Sequence, residues 1–247
     1  MAAYSPSPML PPARDDDART DAPVTAHVLL VEDQPAFEDL LADALRALDP
    51  SVKVHTCRGG AEALETLAQL DSRLDLALVD LHLPDGLGID IVHAVRHQHP
   101  QAAVIVISAL TSERTVFASI QAGASGYLFK TDTEPALRDT LANTLQGAPP
   151  IHPAVARAML RWFDQSDPRP PEDLQPTPQE RATLRLIAGG LDTTEVARSL
   201  GVPPEQVRTT LRSVYRKAAQ TEATNASSQP PQPLDAATEP PSRTEPD

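Results

Sequence analysis

Glu32 and Asp33 close the run HVLLVED, Asp80 closes LDLALVD, and Lys130 closes GYLFK. Each charged group directly follows an apolar run of the kind that forms a buried parallel strand. Ser108 ends a fourth such run, VIVIS. The carboxyl ends of strands in an open parallel sheet line one crevice, so groups this far apart in the chain would converge there. Carboxylates brought together repel one another unless a cation intervenes. Oxygen ligands with room for several waters favour Mg²⁺, and no His/Cys cluster offers a zinc site. Beside such a cation, Asp80 could act as a nucleophile toward a phosphoryl donor and form an aspartyl phosphate. Lys130 would supply a point charge for the incoming oxygens, and Ser108 a hydroxyl donor for another.

Such a crevice needs a particular scaffold. Strand signals at 28–31, 52–54, 74–79, 104–107 and 127–129 alternate with helical stripes. The first stripe is Phe37, Leu40, Leu41, Ala44, Leu45 and Leu48, and the last is Leu137, Leu141 and Leu145. The βα alternation over 26–146 predicts an α/β domain: a five-stranded, doubly wound parallel sheet with right-handed crossovers.

The 247 residues leave room for a second module, and the charge locates it. The chain carries a formal −13, yet residues 26–146 hold 17 acidic and 8 basic side chains, whereas 177–220 hold 7 basic and 4 acidic ones. A binding footprint is set by local clustering, so a small basic module follows an acidic one. Residues 1–25 and 221–247 are rich in Pro, Ser, Thr, Asp and Glu and read as disordered tails. No run approaches the ~18 apolar residues that span a bilayer, and the first residues lack the basic-then-apolar order of a signal peptide. The lone Cys57 allows no internal disulfide. These features together predict a cytoplasmic protein without a membrane partner.

Residues 147–176 read as a linker. A helix in IHPAVARAMLRWF starts near Pro153, and a proline-rich stretch follows at 164–176. Thr177-Pro178-Gln179-Glu180 is a capping box with proline at the first helical position, and Gly189-Gly190 ends that helix. Asp192-Thr193-Thr194-Glu195 opens a short helix, Gly201 turns the chain, and a last helix runs from Pro204 to about Ala218. Two helices about a glycine turn make a helix-turn-helix, so a small all-α domain is expected over 177–220.

Residues 26–146 resemble a response-regulator receiver domain, which has the flavodoxin-like order of strands. The resemblance implies that Glu32 and Asp33 hold Mg²⁺ with Asp80 and the carbonyl of His82. It implies that Asp80 is the phosphoacceptor, that Ser108 and Lys130 read the phosphoryl group, and that Tyr127 is the switching aromatic. A side chain at His82 could also tune hydrolysis of the phosphoryl group. The string TPQERATLRLIAGGLDTTEVARSLGVPPEQVRTTLRSVYRK is similar to the LuxR-type output domain, and the whole resembles a NarL-type transcriptional response regulator. The last helix would then enter the major groove of double-stranded DNA, with Arg208 and Thr209 on bases or phosphates and Arg212, Arg216 and Lys217 on phosphates.

Pro203-Pro204 departs from the family's small polar cap, Gln206 replaces its usual Thr, and Leu211 stands at a commonly polar or basic position. The resemblance further implies a sensor histidine kinase as phosphodonor and a homodimer when phosphorylated. It does not imply an enzyme, since a receiver catalyses only its own phosphorylation and dephosphorylation. The departures motivate a different reading, a protein-interaction regulator whose helix-turn-helix no longer binds DNA.

Overall fold

The computed structural model describes residues 26–70, 73–109, 113–145, 150–166 and 169–225. Five parallel strands, β1 (His27–Val31), β2 (Lys53–Cys57), β3 (Leu76–Asp80), β4 (Ala103–Ser108) and β5 (Gly126–Phe129), lie in the order β2-β1-β3-β4-β5. The register pairs Val31 with Val79, Asp80 with Ile107, and Ser108 with Phe129. It brings the ends of β1, β3, β4 and β5 level with one another. β3 is buried along its whole length, as expected of the middle strand of a sheet covered on both faces. The edge strand β2 buries only Cys57.

The side chains of β1 alternate between two cores. Val28 and Leu30 join Leu41 and Leu45 of α1 (Pro35–Leu48) and Leu137 and Leu141 of α5 (Glu134–Leu145). Leu29 and Val31 face Ala63 and Leu67 of α2 (Gly60–Gln69), Ile91 and Val95 of α3 (Gly88–Gln98), and Val116 and Ile120 of α4 (Glu113–Gln121). A period-2 strand and 3.6-period helices place these residues as the sequence predicts.

The second core does not end at the sheet domain. It runs through α6 (Pro153–Gln165) into α7 (Pro178–Ala188), α8 (Thr193–Leu200) and α9 (Pro204–Asn225). Phe117 of α4 stacks on Trp162 of α6 with centroids 5.1 Å apart. The Tyr215 hydroxyl of α9 donates to the Pro150 carbonyl at 2.9 Å, in a fully buried site. Pro150 in turn lies against Gly126, where a Cβ would stand 2.4 Å from its ring, so only glycine lets the chain pass over β5 here. Arg157 of α6 donates to the Ala188 carbonyl at 2.7 Å. The two modules are therefore packed together.

Two boundaries differ from the expectations. α6 continues through Gln165, so the proline-rich stretch starts later than 164 and contains one 3-10 turn, Glu172–Leu174. α9 continues to Asn225, because no proline or glycine interrupts it after Lys217. The tail expected at 221–247 therefore cannot begin before 226, and residues 1–25 and 226–247 lie outside the described residues. His27 and His55 meet across β1 and β2 with nitrogens 3.4 Å apart. Among the described residues, no helix is long and apolar enough to cross a membrane.

Candidate phosphoryl-acceptor site and helix-turn-helix

The strand ends assemble the crevice. Lys130, directly after β5, places Nζ 2.6 Å from Glu32 Oε1 and 2.7 Å from Asp80 Oδ2. Both carboxylates are almost wholly buried, so this ammonium is the charge that holds them together. The Gln34 amide donates to Glu32 Oε1 at 3.0 Å, and the His82 amide to Asp80 Oδ1 at 2.9 Å. Glu32 Oε2 and Asp33 Oδ1 are buried without a hydrogen-bond donor. Oxygens of Glu32, Asp33 and Asp80 lie within 4.8 Å of one another. Buried acceptors on carboxylates this close require a cation or a proton.

The electrostatics follow from that geometry. Burial pushes the Glu32 carboxyl above the ordinary carboxylate range, more strongly than Lys130 and the Gln34 amide pull it down, and Asp80 adds to the rise. Burial draws Lys130 downward, but Asp80 and Glu32 outweigh it and hold the ammonium above the usual lysine range. Phe37 lies beneath this cation, 5.5 Å from Nζ to the ring centroid.

Ser108 is fully buried, with Oγ 3.5 Å from His82 Nδ1. The Tyr127 ring is turned inward and buried, 5.1 Å from the Phe129 ring. Burial raises its phenol, the Ser108 hydroxyl pulls it back, and the Asp80 charge raises it further. Tyr127 also lies close enough to Tyr215 to disfavour its ionisation, after burial itself. Tyr127 and Tyr215 of α9 thus belong to one continuous core.

That module is built by its caps. Thr177 and Glu180 form the predicted capping box at α7, and Asp192 and Glu195 form another at α8. Gly201 closes α8 with φ +65°, a left-handed turn that would strain other residues. Val207, Leu211 and Val214 fill the core beneath α9. Leu211, at a position commonly polar or basic in the family, belongs to the core stripe that the apolar spacing of the last helix predicts.

Thr209, Arg212 and Arg216 lie exposed on α9, and Arg208 is half-buried. Arg208 and Arg212 stand 3.2 and 3.6 Å from the exposed Glu205, which offsets part of their charge on that face. Lys217 does not join this row. Its ammonium sits 2.8 Å from Glu180 and 3.0 Å from the Gln175 carbonyl, inside the domain. Burial alone would push Glu180 up, but Lys217, the Thr177 amide and Ser213 hold it below the usual carboxylate range.

The family model of the response regulator receiver domain matches residues 28–142. The uncharacterized transcriptional regulatory protein YhcZ of Bacillus subtilis is 30% identical over 68% of this chain and 77% of its own length. That match, at 30% identity over 68% of the chain, decides the family. The chain is a response regulator of the NarL type. The nitrate/nitrite response regulator protein NarL of Escherichia coli is 28% identical over 78% of this regulator and 88% of its own length. A solved structure of the Salmonella typhimurium RcsB response regulator covers 78% of this chain and 92% of its own, at 21% identity and a TM-score of 0.48.

Within this regulator, the structure brings Glu32, Asp33, Asp80, Ser108, Lys130 and Tyr127 together as the strand ends require. The His82 side chain lies at the site as the resemblance implies, whereas periodicity shows neither its contact with Ser108 nor the place of Phe37 under Lys130. Phe37 fits the helical core stripe, and its position in the first turn of α1, near the acidic pair, is the available signal. The orphaned acceptors of Glu32 and Asp33 fit an oxygen-liganded cation, as the acidic pocket of a receiver requires.

Proposed function

We propose that this regulator accepts a phosphoryl group on Asp80 from the phosphohistidine of a sensor histidine kinase and controls transcription by binding double-stranded DNA. The observation that carries this reading is Lys130 bridging Glu32 and Asp80 in a buried crevice. An Asp80 carboxylate oxygen attacks phosphorus as the bond to the donor imidazole nitrogen breaks. The imidazole leaves with that electron pair and is reprotonated by water. Lys130 stays beside the acceptor and exchanges its pairing with Asp80 for one with a phosphoryl oxygen. The Ser108 hydroxyl turns from His82 to donate to another oxygen, and the space it leaves is felt by Tyr127 and, through it, by Tyr215.

Glu32, Asp33, Asp80 and the His82 carbonyl are the groups that would hold Mg²⁺. When bound, the ion neutralises charge developing on the phosphoryl oxygens. Its binding should depend on pH in a defined direction. Glu32 has a raised folded-state pKa, so its favourable contribution is complete below its unfolded value of about 4.3 and is lost as pH rises through the folded value. Mg²⁺ should therefore raise the thermal midpoint at neutral pH and do little near about pH 4. At ten times its Kd the gain is about 1.4 kcal/mol. Equal midpoints with Mg²⁺ and with a chelator at neutral pH would exclude this ligand set.

For the output module, Arg208, Thr209, Arg212 and Arg216 are the proposed DNA contacts, and phosphorylation is proposed to favour a homodimer on two half-sites. No described helix spans a membrane, and a cytoplasmic location fits this reading. Selection of genomic fragments by the full chain, with and without a small phosphodonor and Mg²⁺, tests it. Enrichment of defined sites should rise on phosphorylation, with affinity falling steeply as salt is added. Failure to retain DNA even at low salt would instead favour a protein-interaction regulator.

A further inference from the structure

The strand end that presents Lys130 and the first turn of α6 meet at one side chain. His152 Nδ1 accepts a hydrogen bond from the Ala154 amide at 3.1 Å, capping α6. Its ring stands edge-on to Phe129, with centroids 4.4 Å apart at 72°. Its Nε2 lies 3.9 Å from Asp132 Oδ1. Asp132 folds back on the same strand end: its Oδ2 accepts from the Phe129 amide at 3.2 Å, and its own amide donates to the Phe129 carbonyl at 3.0 Å. The next residue is Lys130, whose amide donates to the Ser108 carbonyl at 3.1 Å. From the other side, α6 carries Trp162 onto Phe117 and Arg157 onto the end of α7.

The cap requires an unprotonated Nδ1, which leaves the ring proton on Nε2, 3.9 Å from Asp132 Oδ1. A protonated imidazole carries N–H groups on both nitrogens and accepts nothing, so the Ala154 amide loses its partner. We propose that His152 is a positioning residue that clasps α6 to the strand end bearing Lys130, and that its protonation opens the clasp. The phosphoryl switch thereby gains a second, proton-dependent input. The inference rests on the reading of Lys130 as the group that receives the phosphoryl oxygens.

The charged groups acting on the ring are Asp132, from the loop between β5 and α5, and Arg157, from α6. Burial lowers the imidazole, Asp132 pulls it up, Arg157 pushes it down again, and the net effect is downward. A docked state with a lowered histidine pKa is favoured above the ordinary value of about 6.5 and loses that advantage as pH falls through the docked value.

Trp162 is the only tryptophan of the chain, and it sits at the seam in question. Its emission is followed from about pH 7.5 to about pH 5 in the full-length wild type, His152→Asn and Asp132→Asn. Asparagine can still cap α6 but does not titrate. Asp132→Asn keeps the acceptor for the Phe129 amide and removes the charge. The wild type should shift to the red on acidification, His152→Asn should not, and Asp132→Asn should respond at lower pH. Identical profiles in wild type and His152→Asn, or no response in the wild type, would overturn the clasp.

The rate of phosphoryl incorporation from phosphoramidate, compared at both ends of the range, tests the link to Lys130. Its pH ratio should differ between wild type and His152→Asn. An unchanged ratio would confine His152 to a structural cap and overturn the coupling. A wild type that takes up no phosphoryl group at neutral pH would sink the Asp80 reading, and the Trp162 comparison would still decide the clasp.

Discussion

Asp80→Asn is expected to abolish phosphoryl incorporation altogether. The side chain keeps its shape and can still accept the His82 amide hydrogen bond, now 2.9 Å long. The Lys130–Glu32 pair, at 2.6 Å, is also left in place. Only the nucleophilic oxygen is lost, and an amide does not attack phosphorus at a useful rate. Folding should survive, because removing one of several clustered carboxylates also removes repulsion. Intact-mass measurement after exposure to a small phosphodonor and Mg²⁺ should show one added phosphoryl group on the wild type and none on the variant. DNA affinity of the variant should no longer respond to the donor. A variant that still gains the phosphoryl group would transfer the acceptor role to another side chain and dismantle the proposed switch.

Lys130→Met should cost both stability and chemistry. Methionine roughly keeps the volume and removes the charge, so Glu32 and Asp80 lose the cation that lies within 2.7 Å of each. Breaking a buried pair by deleting one partner typically costs about 3–5 kcal/mol. That figure is an upper bound here, since Glu32, already raised by burial, can take up a proton. The loss should therefore be largest near neutral pH and shrink as the solution is acidified. Mg²⁺ should restore more stability to the variant than to the wild type, because it supplies the missing charge. Phosphoryl incorporation should fall on the order of 10²–10³-fold, the usual effect of removing one electrostatic stabiliser. Chemical denaturation at two pH values and a phosphorylation time course measure these effects. A pH-independent stability equal to that of the wild type would show that the ammonium does not hold the carboxylates.

Both expectations rest on residues that are legible in the sequence. Glu32, Asp33, Asp80, Ser108 and Lys130 each end an apolar run, and a parallel sheet leaves few places for such ends to go. The capping boxes at Thr177 and Asp192 and the turn at Gly201 were equally local, since a cap is a contact between residues three apart. Less was legible where a residue serves two purposes. Phe37 fits the apolar stripe of α1 and lies against Lys130 as well, and periodicity cannot separate the two roles. Lys217 reads as one more base in a basic helix, yet the rotation of α9 about its axis turns it toward Glu180.

The amino-acid order alone determined the five βα units, the acidic crevice with its lysine, and the helix-turn-helix behind a linker. Short-range periodicity, turn chemistry and strand-end position suffice for those. Only the tertiary structure decided how the modules meet: α4 and β5 covered by α6 and α9, Tyr215 bonded to Pro150, and His152 between Phe129, Asp132 and the first turn of α6. Those contacts join residues tens of positions apart through side chains whose apolar character also suits an ordinary core. Their partners follow from packing shape and from one buried hydrogen bond, and neither leaves a period in the sequence.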